Sequence, residues 1–398
     1  MQRPYGGKLI NNILSEDKFG ALANNATGKP IIINTNDIIH LNNIASGVYS
    51  PLAGFMKKEE YISVLQNTCL ANGLSWTLPI LLHISDQDAK RLKMGQYVLL
   101  QDQQFKTIGI IQVESIFEID PDEYSCNIYG TQDAAHPGVG LFLSRPKACV
   151  GGNIFLKKGS IELPDYWVTA SDHRDLINKE GFERITAFST RNVCHIGHEY
   201  LHGFALESTS ALGINVITGA QMNGSILPEI IFETYEIIAK KYYPVGRVLF
   251  NNLRIPPIYA GPKEAFFQAV ILQNYGYTDF IVGRDHAGVS DYYEKYASQQ
   301  IFNKLDSLDI NIMAISEPRF CLVCDKVTTQ KSCPHSGNKV IGLNGREVRK
   351  WIQGQERTEL TKVLRPELRA YFDKKLSLGS HIDQNLIERK MEKIFYRE

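Results

Sequence analysis

The sequence predicts a multidomain α/β protein. Three observations lead there. The first 160 residues carry short β-like runs separated by turn formers, strands alternate with helical stretches beyond Pro164, and a cysteine cluster opens the last 80 residues. At 398 residues the chain has room for two or three domains, each with a core that needs no covalent staple.

In the first part, runs at 30–34, 76–84, 97–100, 107–116 and 125–129 read as strands. Asp102-Gln103, Pro121-Asp122 and His136-Pro137-Gly138 supply turns between them. That pattern gives a compact, mostly β domain, interrupted by a helix at 58–68. The period changes after Pro164. Segment 184–189 is an apolar strand, and 195–211 is helical with Leu201, Phe204, Ala205 and Leu212 on one side. A strand at 215–218, a helix at 227–242, a strand at 247–251, a helix at 262–275 and a strand at 279–282 follow. Such alternation implies βαβ units around a parallel sheet. The final part holds residues 346–352, Arg365-Pro366-Glu367 leading into a helix, and a polar, helix-prone tail. Domains are therefore placed at 1–165, 166–318 and 319–398.

Lys+Arg and Asp+Glu both number 43, so the formal charge is zero. This argues against a dedicated nucleic-acid binder and leaves room for a small anion held by a few local cations. Hydrophobic residues at 43% and charged residues at 22% mark a globular chain, not a disordered one. No apolar run approaches the roughly 18 residues of a membrane span, and the N-terminus shows no signal-peptide pattern. Seven cysteines, an odd number, point to a reducing compartment. A cytoplasmic protein with no membrane or nucleic-acid partner is expected.

Ligands of a parallel sheet bind beyond the carboxyl ends of its strands, so the strand-to-helix turns are where chemistry is expected. The first reads Phe188-Ser189-Thr190-Arg191-Asn192-Val193-Cys194-His195-Ile196-Gly197-His198. A helix N-terminus offers free N–H groups and the positive end of its dipole, which suits phosphate. Two imidazoles spaced His-x-x-His share one helical turn and can converge on one ligand. Gly197 between them lets another group come close. Arg191 adds a fixed cation and Asn192 a neutral donor. An ordinary capped helix would use the same residues. His202, four residues after His198, reads as a plain helix residue more readily than as half of a metal pair.

The second turn reads Ile281-Val282-Gly283-Arg284-Asp285-His286-Ala287-Gly288-Val289-Ser290, with a helical stretch expected after it. Arg284 presents a planar fork suited to an oxyanion. Ala287 and Gly288 are small enough for backbone N–H groups to reach a ligand, and Asp285 can orient a neighbouring Arg or His. A charged surface turn is the other reading of this segment.

Together these turns resemble the ATP sulfurylases, the sulfate adenylyltransferase family, which carries Gln-x-Arg-Asn, His-x-x-His and Gly-Arg-Asp-His-Ala-Gly segments. Pro4-Tyr5-Gly6-Gly7-Lys8-Leu9, Ser50-Pro51-Leu52-Ala53-Gly54-Phe55-Met56, Tyr259-Ala260-Gly261-Pro262-Lys263-Glu264-Ala265 and Arg365-Pro366-Glu367 are similar to further family segments, in the same order. The resemblance covers essentially the whole chain. It implies an N-terminal PUA-like β-barrel, a Rossmann-like parallel-sheet nucleotidyltransferase domain and a small C-terminal α/β domain.

The implied reaction turns ATP and sulfate into adenosine 5′-phosphosulfate and diphosphate. No G-x-x-x-x-G-K-[ST] segment is present, so the adenosine-phosphosulfate kinase found in some relatives is not expected. By resemblance, Arg191, Asn192, His195 and His198 are the catalytic candidates. Ser189, Thr190, Arg191, Arg284, Asp285, His286, Ala287 and Gly288 are the candidate contacts to sulfate and ATP. Arg191, Arg284 and the Ala287 N–H look like sulfate ligands, Asn192 faces the α-phosphate region, and His195 and His198 stabilise phosphate and leaving group. Mg²⁺ would arrive with ATP and diphosphate. A homo-oligomer is expected.

The sequence departs from that pattern in places. Ser189 stands where the family has Gln. Thr218-Gly219-Ala220-Gln221-Met222-Asn223-Gly224 lacks the family's Lys pair, Ile258 replaces an Arg, and Asn344-Gly345-Arg346 replaces Ser-Gly-Thr. Arg254 and Arg346 are the cations able to compensate. A relative that adenylylates another oxyanion or a small sulfonate or phosphonate, and an inactive binding protein of the same fold, are the alternatives. Finally, Cys321, Cys324, Cys333 and His335 have the composition of a closed, structural Zn²⁺ site. Metal-free thiols are the other reading.

Overall fold

The computed structural model describes residues 2–219, 224–284, 286–289, 291–343, 345–352 and 362–376, together with Ile394 and Tyr396. The chain divides into two units, each drawn from two stretches of sequence. One joins Met1–Phe182 to Arg254–Ile312, and the other joins Glu183–Leu253 to Met313–Glu398.

The first stretch holds β1 (Ile13–Leu14), α1 (Glu16–Ala23), β2 (Ile31–Ile32), α2 (Thr35–Ala45), β3 (Gly54–Phe55), α3 (Lys58–Asn67), β4 (Leu82–His83) and α4 (Asp86–Arg91). It continues with β5 (Tyr97–Gln101), β6 (Thr107–Gln112), β7 (Ser115–Glu118), α5 (Pro121–Tyr129), α6 (Pro137–Leu143), β8 (Ala148–Lys157) and α7 (Ala170–Lys179). Strand β8 is the hub. β1 runs parallel to it, and β3, β4, β6 and β7 pair with it antiparallel. β5 extends the sheet from β6, and β2 from β5.

Several expectations change here. Segment 125–129 is the end of helix α5, not a strand. Asp120 caps that helix by accepting from the Asp122 and Glu123 N–H groups, Pro121 fits its first turn, and Gly130 closes it in the left-handed region. Those end signals outweigh the β propensity of Ile128 and Tyr129. Of 76–84 only β4 is a strand, because Pro79 cannot donate to a ladder. The run 107–116 splits into β6 and β7. Several elements were not anticipated, β8, α2 and α7 among them. β8 is masked by Gly151-Gly152, yet a Cβ on Gly152 would lie 1.9 Å from the Gln112 carbonyl oxygen. α2 is rich in Asn, a weak helix former, and depends on an Asn34–Asp37 capping box. α7 has few apolar residues to reveal it. The first domain is thus less purely β than its sequence suggests.

The second stretch gives β9 (Ile185–Thr190), α8 (Ile196–Ser208), β10 (Ala211–Ile217), α9 (Pro228–Tyr242) and β11 (Val248–Leu253). β10 lies between β9 and β11, parallel to both, with Ile214 in register with Phe188 and Phe250. Every residue of β9 and β10 is buried, as in a sheet covered on both faces. The third stretch holds α10 (Pro262–Tyr275), β12 (Asp279–Val282) and α11 (Ala297–Gln300). α10 is buried from Glu264 to Tyr275, and its polar members are paired. Asn274 Nδ2, for example, donates to the Val48 and Ser50 carbonyls at 3.0 and 2.9 Å.

The fourth stretch holds β13 (Asn311–Ala314), β14 (Arg319–Cys321), β15 (Lys326–Thr328), β16 (Val340–Gly342), α12 (Gly345–Ile352) and α13 (Pro366–Leu376). β14 is the middle strand of a three-stranded antiparallel sheet with β15 and β16. The expected helix after Arg365-Pro366-Glu367 is α13. Apart from Ile394 and Tyr396, the polar tail lies outside the described residues.

Candidate functional site

The loop from β9 to α8 is tied down residue by residue. His195 is the N-cap of α8, and its Nδ1 accepts from the Gly197 N–H at 3.1 Å. A neutral imidazole accepting at Nδ1 carries its proton on Nε2, so His195 keeps one N–H to offer. Burial holds its pKa down at about 3, so the ring is uncharged at neutral pH. His198 stacks on it with ring centroids 3.7 Å apart. Its Nδ1 lies 2.8 Å from the Tyr235 hydroxyl. Burial, reinforced by the neighbouring His195 and His202, holds the His198 pKa well below its ordinary value.

Tyr235 comes from α9, as does Thr234, whose Oγ1 accepts from the Cys194 N–H at 3.1 Å. Thr190 Oγ1 accepts from the Asn192 N–H at 3.1 Å, and the Tyr235 hydroxyl donates weakly to the same oxygen at 3.4 Å. The Asn192 side chain meets α12, where Arg349 Nη1 donates to Oδ1 at 2.9 Å. The Ile196 N–H, in the first turn of α8, donates to the Val363 carbonyl at 3.0 Å. Arg365 Nε holds Glu199 one turn on, at 2.9 Å. Thr190, Asn192 and His198 are therefore joined through Tyr235 in one hydrogen-bonded assembly on which His195 stacks, with the partly buried Arg191 on the same loop. Gly197 does admit a close neighbour: a Cβ there would meet the His195 ring at 3.0 Å and Leu343 Cβ at 3.1 Å. Ser189 is buried, and its hydroxyl has no hydrogen-bond partner. His202 is a core helix residue, fully buried with Nδ1 2.6 Å from the Tyr243 hydroxyl.

The second turn belongs to the other unit. The Arg284 carbonyl accepts from the Tyr296 N–H at 2.9 Å. His286 Nε2 is 2.7 Å from Gln268 Oε1, and its carbonyl accepts from Ser298 Oγ at 2.7 Å. Ala287 sits at φ +56°, a left-handed conformation that is uncommon for a residue with a Cβ. Gly288 follows it, and Asp285 lies outside the described residues. The helix expected here is a correction: among the described residues, turns and bends run as far as Ala297, where the short α11 begins. Here the Tyr293 hydroxyl is tied to the Tyr259 carbonyl, and the Tyr292 hydroxyl to Asp133.

In the β14–β16 region Cys321, Cys324, Cys333 and His335 converge, with all potential ligand atoms within 4.8 Å of one another. His335 Nδ1 is 3.4, 3.5 and 3.3 Å from the sulfurs of Cys321, Cys324 and Cys333. Cys333 Sγ lies 3.6 Å from Cys321 Sγ and 3.7 Å from Cys324 Sγ. A tetrahedron with metal–sulfur bonds of about 2.3 Å has sulfur–sulfur edges of about 3.8 Å, so the cluster could hold a metal ion.

A family model described as ATP-sulfurylase matches residues 164–370, and one described as PUA-like domain matches residues 2–158. The chain belongs to the ATP-sulfurylase family. The sulfate adenylyltransferase of Hyperthermus butylicus is 36% identical over 371 residues, which is 92% of this chain and 95% of that protein. That of Staphylothermus marinus is 37% identical over 368 residues, covering 92% and 96%. Among solved structures, a hexameric APS kinase from Thiobacillus denitrificans aligns with a TM-score of 0.72. At 19% identity, over 94% of this chain and 68% of that one, it shows the shared fold.

The fold is thus a PUA-like domain followed by the α/β ATP-sulfurylase domain with its parallel-sheet core. Within the ATP-sulfurylase pattern, Ser189 stands where the resemblance led one to expect Gln, with its hydroxyl buried in place of a long amide. Residues 220–223, where the Lys pair is missing, and the Arg346 side chain lie outside the described residues. Arg254 is half-buried with Nη1 unpartnered, and burial lowers its pKa. No helix among the described residues is long and apolar enough to cross a membrane. Sequence reasoning missed Thr234, Tyr235, Arg349 and Val363. Only the register of α9, α12 and the residues before α13 against the loop reveals them, and no local spacing encodes that.

Proposed function

We propose that this chain is a sulfate adenylyltransferase, joining ATP and sulfate into adenosine 5′-phosphosulfate with release of diphosphate. The observation that carries the reading is the β9–α8 loop. It carries a neutral imidazole N–H, a carboxamide and a guanidinium within five residues at the carboxyl end of a parallel strand, where such sheets bind ligands.

A sulfate oxygen attacks the α-phosphorus in line, and the bond to the bridging oxygen of diphosphate breaks. Sulfate is a dianion, so no base is needed, but it is a weak nucleophile. Positioning and charge stabilisation carry the rate. Arg191 is the sulfate-holding cation of this loop, and the family resemblance gives Arg284 and the Ala287 N–H the same role on the second turn. Asn192 donates to the α-phosphate, and His195 does so from Nε2. His198, held by Tyr235, supports the leaving group. By the same resemblance Ser189 and Thr190 on the first turn, and Asp285, His286 and Gly288 on the second, are the further candidate contacts to sulfate and ATP.

Mg²⁺ would be carried by the phosphate oxygens of ATP and diphosphate, where it offsets their charge. Among the described residues the one metal-type cluster is Cys321, Cys324, Cys333 and His335, whose soft sulfurs do not suit Mg²⁺. They suit Zn²⁺ in a structural role, since four protein ligands leave no open position. We assign the protein to the cytoplasm, where thiols stay reduced, and to a homo-oligomeric assembly. Diphosphate release with ATP, Mg²⁺ and sulfate tests the activity. Release above the sulfate-free blank is expected, and no such release would overturn the assignment. A parallel panel of selenate, phosphate and small sulfonates should give weaker turnover than sulfate.

A further inference from the structure

We propose that Arg349 is a positioning residue for the reaction, turning the Asn192 carboxamide so that its NH₂ group faces the nucleotide. This rests on the reading that Asn192 contacts the α-phosphate.

A carboxamide has a donor end and an acceptor end, and only the donor end helps an oxyanion. A guanidinium has no acceptor. Arg349 Nη1, 2.9 Å from Asn192 Oδ1, therefore fixes which end is turned inward. The Nδ2 protons are not used by this bond and are left to donate elsewhere. The cation also draws electron density from the amide and makes those protons better donors.

Three further features hold the amide there. The Asn192 backbone is pinned by Thr190 Oγ1, which accepts from its N–H at 3.1 Å and donates to its carbonyl at 3.2 Å. Gly345, the first residue of α12, lies against the carboxamide, and a Cβ there would fall 2.2 Å from Oδ1. The same C-terminal stretch supplies the Val363 carbonyl to the Ile196 N–H at 3.0 Å. Arg349 thus lies on a segment already fastened to the loop, and its guanidinium is aimed by the helix that Gly345 allows to approach.

The test is a double-mutant cycle in the full chain, read by steady-state kinetics beside thermal melting. Arg349→Ala should lower kcat about 10²-fold, the usual consequence of a misplaced reacting contact, with a smaller change in the KM for ATP. Arg349→Lys should recover part of that loss. Arg349→Ala in an Asn192→Ala background should cost little more, because the group it orients is gone. Independent, multiplicative losses overturn the role, as does an Arg349→Ala enzyme within threefold of wild type. Should Arg349→Ala melt early, Arg349→Lys serves in the same cycle with the same two criteria. A wild-type protein without turnover overturns the underlying reading. Active wild type with an unimpaired Arg349 variant overturns the positioning role alone.

Discussion

His195 and His198 lie face to face, their ring centroids 3.7 Å apart and their planes 27° from parallel. Two charged imidazoliums at that spacing would repel by about 4 kcal/mol even at an effective dielectric of 20. The pair is stable only while neutral. Burial depresses His195 to about 3, and the buried His202 to about 3 as well. The unfolded chain takes up protons near 6.5, so between 6.5 and 3 it binds more protons than the folded one. Stability is therefore complete above about pH 6.5 and falls as the solution is acidified. Melting temperature should decline steadily from pH 7 to pH 4, and His195→Gln should flatten the slope. A melting temperature indifferent to pH over that range would rule out the neutral stack.

Tyr235→Phe removes the hydroxyl that meets His198 Nδ1 and Thr190 Oγ1. Burial keeps that hydroxyl protonated far above its ordinary range. A stability loss of about 1 kcal/mol is expected from the lost hydrogen bond. A drop in kcat of roughly tenfold should accompany it, since an imidazole left to rotate is no longer aimed. Unchanged kcat with the same stability loss would make Tyr235 a core residue only.

Ser189 has no hydrogen-bond partner to lose. Ser189→Ala should leave the melting temperature within about 1 °C, because removing an unsatisfied buried hydroxyl is close to neutral. Its effect should fall on the KM for sulfate. Ser189→Gln, which installs the side chain of the family pattern, should shift the same constant by about tenfold. Kinetic constants for ATP and sulfate, compared across the three proteins, decide this.

Removing metal from the cluster at Cys321, Cys324, Cys333 and His335 should destabilise the protein. Four ligands brought within 4.8 Å without a cation leave thiols crowded together. A strong chelator should lower the melting temperature by roughly 10 °C, and Zn²⁺ should restore it. Elemental analysis should find about one zinc per chain. Chelation without effect on a zinc-free protein would contradict the assignment.

Much of the parallel-sheet part was legible because its strands are buried on both faces. Ile185–Thr190 and Asp279–Val282 are rich in β-branched and aromatic residues, and Pro262 with Gly276 brackets α10. The β9–α8 loop was legible as a candidate site because its chemistry is local, from Ser189 to His198. The rest was hidden for identifiable reasons. β8 carries two glycines that its neighbours' backbones require, so its own composition argues against it. Helix α5 ends in β-branched and aromatic residues that mislead unless Asp120 is weighed as a cap. The residues that hold the loop from outside, Tyr235 and Arg349, sit 37 and 157 positions from their partners. Such pairings are products of tertiary packing and leave no periodic trace.

The three-stranded sheet carries one more implication. Cys321 on β14 is paired in register with Val340 on β16. Beyond β16 the chain passes directly to Leu343, which packs at Gly197, and to Gly345 at Asn192. Oxidation that moves these side chains should therefore pull on a strand whose continuation meets the first turn of α8 and the loop before it.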